Sequence, residues 1–214
     1  MAYKKYLAEF IGTFFMLLTI CMTTFAKVSS DLQPLSIGLV LVGLIYALGH
    51  ISGAQFNPAI TISLLLRGKM TLKDSIFYIL TQFVASVTAS YTTIWLISAK
   101  PPVPPYSAPP QYFAMSQAIS AEVLGTFALA YIVLNIATAK NLEGNNFYGV
   151  GIGFALTGLI YTFGSISGAV FNPATAVALC FSGISSWSNL WYYFVGCFGG
   201  AILAALVFRF FGEE

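Results

Sequence analysis

The sequence predicts an all-α membrane protein of six transmembrane helices and two re-entrant half-helices, built as an inverted 3+3 repeat. Three observations predict it. Of 214 residues, 58% are hydrophobic and 7% charged, against roughly 25% charged in a soluble domain. Six apolar runs can be set against a hydrocarbon core of about 30 Å, which takes about 20 helical residues to cross. A ten-residue phrase also occurs twice, "ISGAQFNPAI" starting at Ile51 and "ISGAVFNPAT" starting at Ile166.

The first run, 6–26, follows a basic start. It is too long for a signal-peptide core and lacks a small-residue cleavage site, so it reads as a retained first span. The other spans are expected over 35–49, 76–98, 115–138, 147–163 and 187–210. The second and fifth are short for a full crossing. Six prolines between 98 and 116 dictate a stiff, extended strap with no helix of its own. The strap divides the chain into a first half, 1–98, a connecting loop, 99–115, and a second half, 116–214.

Basic residues sort the spans by side, because short cytoplasmic loops carry the excess of Lys and Arg. Lys4, Lys5, Arg67, Lys69, Lys73, Lys140 and Arg209 share one side, leaving Lys27 and Lys100 on the other. Both termini are therefore expected in the cytoplasm and the strap outside. The expected setting is the plasma, or inner, membrane.

The halves match beyond the phrase. "AEFIGTF" at Ala8 recurs as "AEVLGTF" at Ala121, 113 residues on, and Asn57 recurs as Asn172, 115 residues on. With three spans in each half, the second copy must insert upside down, giving a pseudo-two-fold axis in the membrane plane. Each phrase ends in Asn-Pro, a favoured N-cap followed by a favoured first helical residue. Helices are thus expected over 57–67 and 172–182, about 16 Å long and half the hydrocarbon thickness. Entering from opposite faces, they meet at the midplane. The preceding "ISGAQF" and "ISGAVF" are expected to be non-helical, which is tolerated at membrane depth only under protein cover or beside water.

Other classes recede. A net charge of +2 offers no basic patch for nucleic acid. Cys21, Cys180 and Cys197, odd in number and without CxxC spacing, read as core filler rather than disulfides or metal ligands. One histidine and no nucleophile elbow argue against an enzyme, and no metal or cofactor is expected. Gly38, Gly43, Gly153, Gly158, Gly196 and Gly200 read as helix-crossing points. Trp187, Trp191, Tyr192 and Tyr193 read as interface anchors.

With the two Asn-Pro-Ala triplets at Asn57, Pro58, Ala59 and Asn172, Pro173, Ala174, the "GHISGAQFNPAIT" setting and the paired AEF/AEV-GTF openings, the chain resembles an aquaporin, of the major intrinsic protein family. The resemblance covers essentially the whole length. It implies the aquaporin fold, one pore per subunit, a homotetramer in the lipid bilayer, and passive flow without ions or protons. Water at the midplane would accept hydrogen bonds from the Asn57 and Asn172 amides, while opposed helix dipoles turn its neighbours in opposite directions and break a proton relay.

Aligned on the Asn-Pro anchors, the resemblance implies an outer selectivity filter of Ile37, Ile160, Ala169 and Thr175. The family usually carries Arg at the last position. Here it is Thr175, and no Lys or Arg stands between Lys140 and Arg209 to replace it. Such a filter is expected to pass water together with ammonia, hydrogen peroxide, urea or glycerol. Glu9 and Glu122 sit inside apolar spans, where ionisable groups are costly. Their symmetric placement favours a bracing role, accepting hydrogen bonds from the re-entrant loops, over proton coupling. His50 is expected at the inner pore mouth. The rival readings are an ion-coupled secondary transporter, which also uses inverted repeats but would need an intramembrane ion site, and a strict water channel or junctional protein of the same fold.

Overall fold

The computed structural model describes residues 2–25, 32–97 and 114–211. Lys27, Lys100 and the prolines of the strap lie outside them. Eight α-helices are found there: α1 (Ala2–Phe25), α2 (Gln33–Ser52), α3 (Pro58–Leu66), α4 (Leu72–Ile97), α5 (Met115–Thr138), α6 (Tyr148–Ser167), α7 (Pro173–Phe181) and α8 (Leu190–Phe211). Six are long, and α3 and α7 are the two half-helices.

Asn57 and Asn172 start the half-helices. Each has extended backbone, with φ −154° and −152°, and a side chain that accepts from the N–H two residues on. Nine residues at 1.5 Å rise give each half-helix about 14 Å. They end one residue earlier than expected, with Arg67 and Ser182 as C-caps.

Two expectations are corrected at the preceding loops. Ile51, Ser52, Ile166 and Ser167 are not unwound but close the last turns of α2 and α6. Those helices are 20 residues each, so neither is short for a crossing. They stop because Gly53 and Gly168 turn left-handed, at φ 86° and 91°, and return their N–H groups to Gly49 and Gly164 O. The non-helical backbone is only 53–57 and 168–172.

Five helical stretches are long and apolar enough to cross a membrane, and α4, although 26 residues long, is not among them. Its buried face carries Gln82, Ser86, Ser90 and Thr93. The Ser86 and Ser90 hydroxyls donate to the carbonyls of Ala174 (2.7 Å) and Ala178 (3.0 Å) on α7. Polarity that reduces its lipid solubility holds the second half-helix in place. The last span begins with a 3-10 turn, Trp187–Asn189, before α8. Tyr192 and Tyr193 are buried, not at the interface, whereas Trp187 and Trp191 are exposed.

The packing maps onto itself when the halves are exchanged. α1 packs on α4 and α2 as α5 packs on α8 and α6; α3 packs on α8 as α7 packs on α4; and α2 meets its own counterpart α6. Close approaches lie at Gly38 and Gly153, where an added Cβ would meet the other glycine's carbonyl at 2.6 and 2.7 Å. Gly196 and Gly200 crowd α5 in the same way, but Gly43 and Gly158 have nothing within 4 Å and are not crossing points. Gly12 on α1 and Gly125 on α5 admit the Phe56 and Phe171 rings, which an added Cβ would meet at 1.9 and 2.0 Å. Gly12→Ala and Gly125→Ala should therefore each destabilise the protein by about 1–3 kcal/mol, the usual cost of overpacking. Thermal unfolding in detergent reads this out, and an unchanged Tm for both would show that the rings move aside freely.

Candidate pore and selectivity site

The loops ahead of α3 and α7 are under backbone strain. Ala54, Phe56, Ala169 and Phe171 all have positive φ, between 49° and 51°, a region that costs non-glycine residues about 1–3 kcal/mol each. Buried groups hold them there. The Gln55 and Phe56 N–H groups donate to Oε1 and Oε2 of Glu9, at 2.9 and 2.8 Å. Val170 and Phe171 do the same to Glu122, at 2.9 and 2.8 Å. Ser52 and Ser167 hydroxyls add bonds of 2.7 and 2.6 Å to the same carboxylates. Tyr78 and Tyr193 hydroxyls donate to the Ser52 and Ser167 carbonyls.

The fourth contact of each carboxylate differs between the halves. Glu9 accepts from Gln82 Nε2 at 2.9 Å, but Glu122 accepts from the Cys197 thiol at 3.6 Å. Sequence reasoning did not single out Gln82 or Tyr78, and it read Cys197 as core filler and Tyr193 as an interface anchor rather than as parts of this bracing. The signal was present, since the 115-residue offset of the duplicated phrase also pairs Gln82 with Cys197 and Tyr78 with Tyr193.

The two loops reach each other through the asparagines. Asn57 Nδ2 donates to Phe171 O at 2.9 Å, and Asn172 Nδ2 donates to Phe56 O at 3.0 Å. Each Oδ1 accepts from the N–H of Ala59 or Ala174, at 2.8 and 2.9 Å, which sets the amide's orientation. A primary amide has two N–H groups, so one remains on each asparagine, and both residues line the same cavity. The N-termini of α3 and α7 converge here, each equivalent to about half a positive charge.

That cavity, of about 1360 Å³, runs from Thr24 and Gln33 at one end to Lys69 and Asp74 at the other. Ile37, Ile160, Ala169 and Thr175 all line it. The Thr175 hydroxyl is buried without a hydrogen-bond partner among the described residues. His50 lines the end that also holds Lys69. Pro58, Ala59, Pro173 and Ala174 are buried but do not line it, and neither do Glu9 and Glu122, which stand behind the loops they bond. Opposite the asparagines run two aliphatic stripes, Ile37, Leu41 and Ile45 on α2, and Ile152, Leu156 and Ile160 on α6. Of these, only Ile37 and Ile160 were singled out from the sequence.

A cavity lined by residues from both ends of the helix bundle, with two helix N-termini and two amides between them, is the arrangement of a membrane channel. The major intrinsic protein family model matches residues 1–210. The chain is 34% identical to glycerol uptake facilitator protein-like 6 of Lactiplantibacillus plantarum, with 99% of both chains covered. It is 31% identical to aquaporin AqpM of Methanothermobacter thermautotrophicus, over 99% of this chain and 98% of that one. The X-ray structure of the aquaglyceroporin from Plasmodium falciparum superimposes with a TM-score of 0.81 at 20% identity, covering 96% of this chain and 95% of that one. The chain belongs to the major intrinsic protein family and is an integral, multi-pass membrane protein.

Glu9→Gln and Glu122→Gln would each leave one buried loop N–H facing an amide NH2, itself a donor, in place of a carboxylate oxygen. Each should cost about 1–3 kcal/mol. A lower Tm in detergent together with reduced water flux is the expected outcome; full flux with an unaltered Tm would mean the loops stand without the carboxylates.

Proposed function

We propose that Ile37, Ile160, Ala169 and Thr175 form a broad outer filter, and that this is why the chain, a passive membrane channel for water and small neutral solutes, passes more than water. The observation that carries this reading is the lining of the cavity. The four positions offer one side-chain polar atom, Thr175 Oγ1, and no cation. Ammonia, hydrogen peroxide, urea and glycerol are the solutes proposed. Asn57 and Asn172 form the pore centre, with Pro58, Ala59, Pro173 and Ala174 starting the half-helices behind them: a water there accepts from the free N–H groups of Asn57 and Asn172, and its own hydrogens then point outward along the file. Donor order reverses at that water, so protons cannot hop through, and the two positive helix ends repel cations.

In this reading Glu9 and Glu122 brace the loops and are not ion-coupling groups, His50 lines the cytoplasmic mouth, and the chain acts as a channel and not an enzyme. Halves 1–98 and 116–214 each supply one half-helix, joined by 99–115. Both termini are cytoplasmic in a plasma membrane, and four copies form a homotetramer with one pore each, as the family resemblance implies.

Stopped-flow light scattering on proteoliposomes tests the filter. Thr175→Arg restores a guanidinium and should lower glycerol and urea flux about tenfold or more, equivalent to about 1.4 kcal/mol of added barrier, while water flux falls less. Unchanged solute fluxes would place Thr175 away from the constriction.

A further inference from the structure

We propose that the specificity-determining step of this pore is a second, wholly apolar ring on its inner half, formed by Ile45, Ala54, Ile60 and Ile152, with Ile60 as the deciding residue. The inference rests on the channel reading above and adds a site to it. It follows from the pseudo-two-fold relation between the halves. At the 115-residue offset, Ile37 pairs with Ile152, Ile160 with Ile45, Ala169 with Ala54, and Thr175 with Ile60. All four partners line the same cavity as the outer four.

Three of the four pairs are identical in residue type. Ala54 and Ala169 also share φ 49°, and the loops that carry them have matched hydrogen bonds to Glu9 and Glu122. Three walls of the two rings are thus equivalent, and the difference is confined to the fourth. There the inner ring has Ile60 in place of Thr175, which adds two carbons and removes the hydroxyl.

Polar neighbours make up little of the loss, since only one Gln55 Nε2–H is left over beside the ring. The Ser52 hydroxyl donates to Glu9 and accepts from Ala54 N–H. Gln55 accepts from the Thr61 hydroxyl at 2.7 Å and donates to Met70 Sδ at 2.9 Å. Between the asparagines and His50, a permeating molecule therefore meets a ring whose side chains offer no hydrogen bond. Where such an apolar ring narrows the file it resists wetting. Solutes are ranked there by how many hydrogen bonds they must shed, so ammonia crosses more readily than glycerol.

The test compares water, ammonia, urea and glycerol flux in proteoliposomes carrying equal amounts of wild type, Ile60→Thr, Ile60→Val and Thr175→Ile. Ile60→Thr should raise water and urea flux by about threefold to tenfold, the kinetic worth of one net hydrogen bond. Thr175→Ile, which turns the outer ring into a copy of the inner one, should lower them. Should Ile60→Thr fold poorly, Ile60→Val widens the ring by one methyl and should still raise urea flux. Unchanged flux in the folded Ile60 variants, with Thr175→Ile altering it, would overturn the proposal and place control at the outer ring. A wild type that passes water but no solute would defeat the broad-filter reading alone; the inner ring would then stand if Ile60→Thr raised water flux and fall if it did not.

Discussion

Backbone amides at membrane depth have no water to bond, and each one left unsatisfied costs several kcal/mol. The rest of the structure depends on how this chain meets that constraint. Two buried carboxylates, Glu9 and Glu122, each take two consecutive loop N–H groups and a serine hydroxyl. Without them, 53–57 and 168–172 would have no reason to stay unwound, and the positive φ of Ala54, Phe56, Ala169 and Phe171 would relax. The bonds also aim the chain. With Phe56 and Phe171 N–H fixed, their carbonyls present themselves to the opposite asparagine, so each loop is held by its own carboxylate and by the other loop. The glycines at 12 and 125 complete the arrangement by leaving room for the rings of the same two phenylalanines.

Much of this was legible because the same sequence serves two halves of opposite orientation. One Asn-Pro-Ala suggests only a capped helix; two, 115 residues apart with an odd number of spans between, require opposed half-helices. Glu9 and Glu122 were visible as paired charges in apolar spans. What escaped the sequence followed from packing. The α2 and α6 helices run two residues into the repeated phrase because a left-handed glycine, not the phrase's start, ends them. Tyr192 and Tyr193 resemble interface anchors by position, yet the Tyr193 hydroxyl is needed inside, on the Ser167 carbonyl. The pore stripes on α2 and α6 carry ordinary Ile and Leu, which composition cannot separate from core.

Where the halves depart from symmetry, the departures fall into two kinds. Some adjust the scaffold. Ser86 and Ser90 tie α7 to α4, whereas their counterparts Ala201 and Ala205 on α8 have no hydroxyl to give to α3. Gln82 gives Glu9 an amide donor where Cys197 gives Glu122 a weaker thiol. The hydrogen bonds holding the first loop's carboxylate and the second half-helix are therefore the stronger sets. Other departures face the cavity, and there the two halves differ at Thr175 and Ile60 while their neighbouring ring positions agree.

This separation bears on how the proposed pore would discriminate without a filter cation. An arginine selects by narrowing the path and by repelling positive charge at one level. In its absence charge exclusion has to be spread along the file, and the two helix ends at the asparagines provide it at the centre, where each contributes about half a unit of positive charge. A cation passing between the aliphatic stripes would have to shed hydration water without replacement, so the repulsion would act on an incompletely hydrated ion in a low-dielectric surrounding, where a given charge interaction is several times stronger than in bulk water. A neutral solute feels only the dehydration. In the proposed pore, apolar walls and opposed dipoles thus divide the work: the walls would rank neutral molecules by the hydrogen bonds they give up, and the dipoles would turn the same dehydration into a barrier against charge.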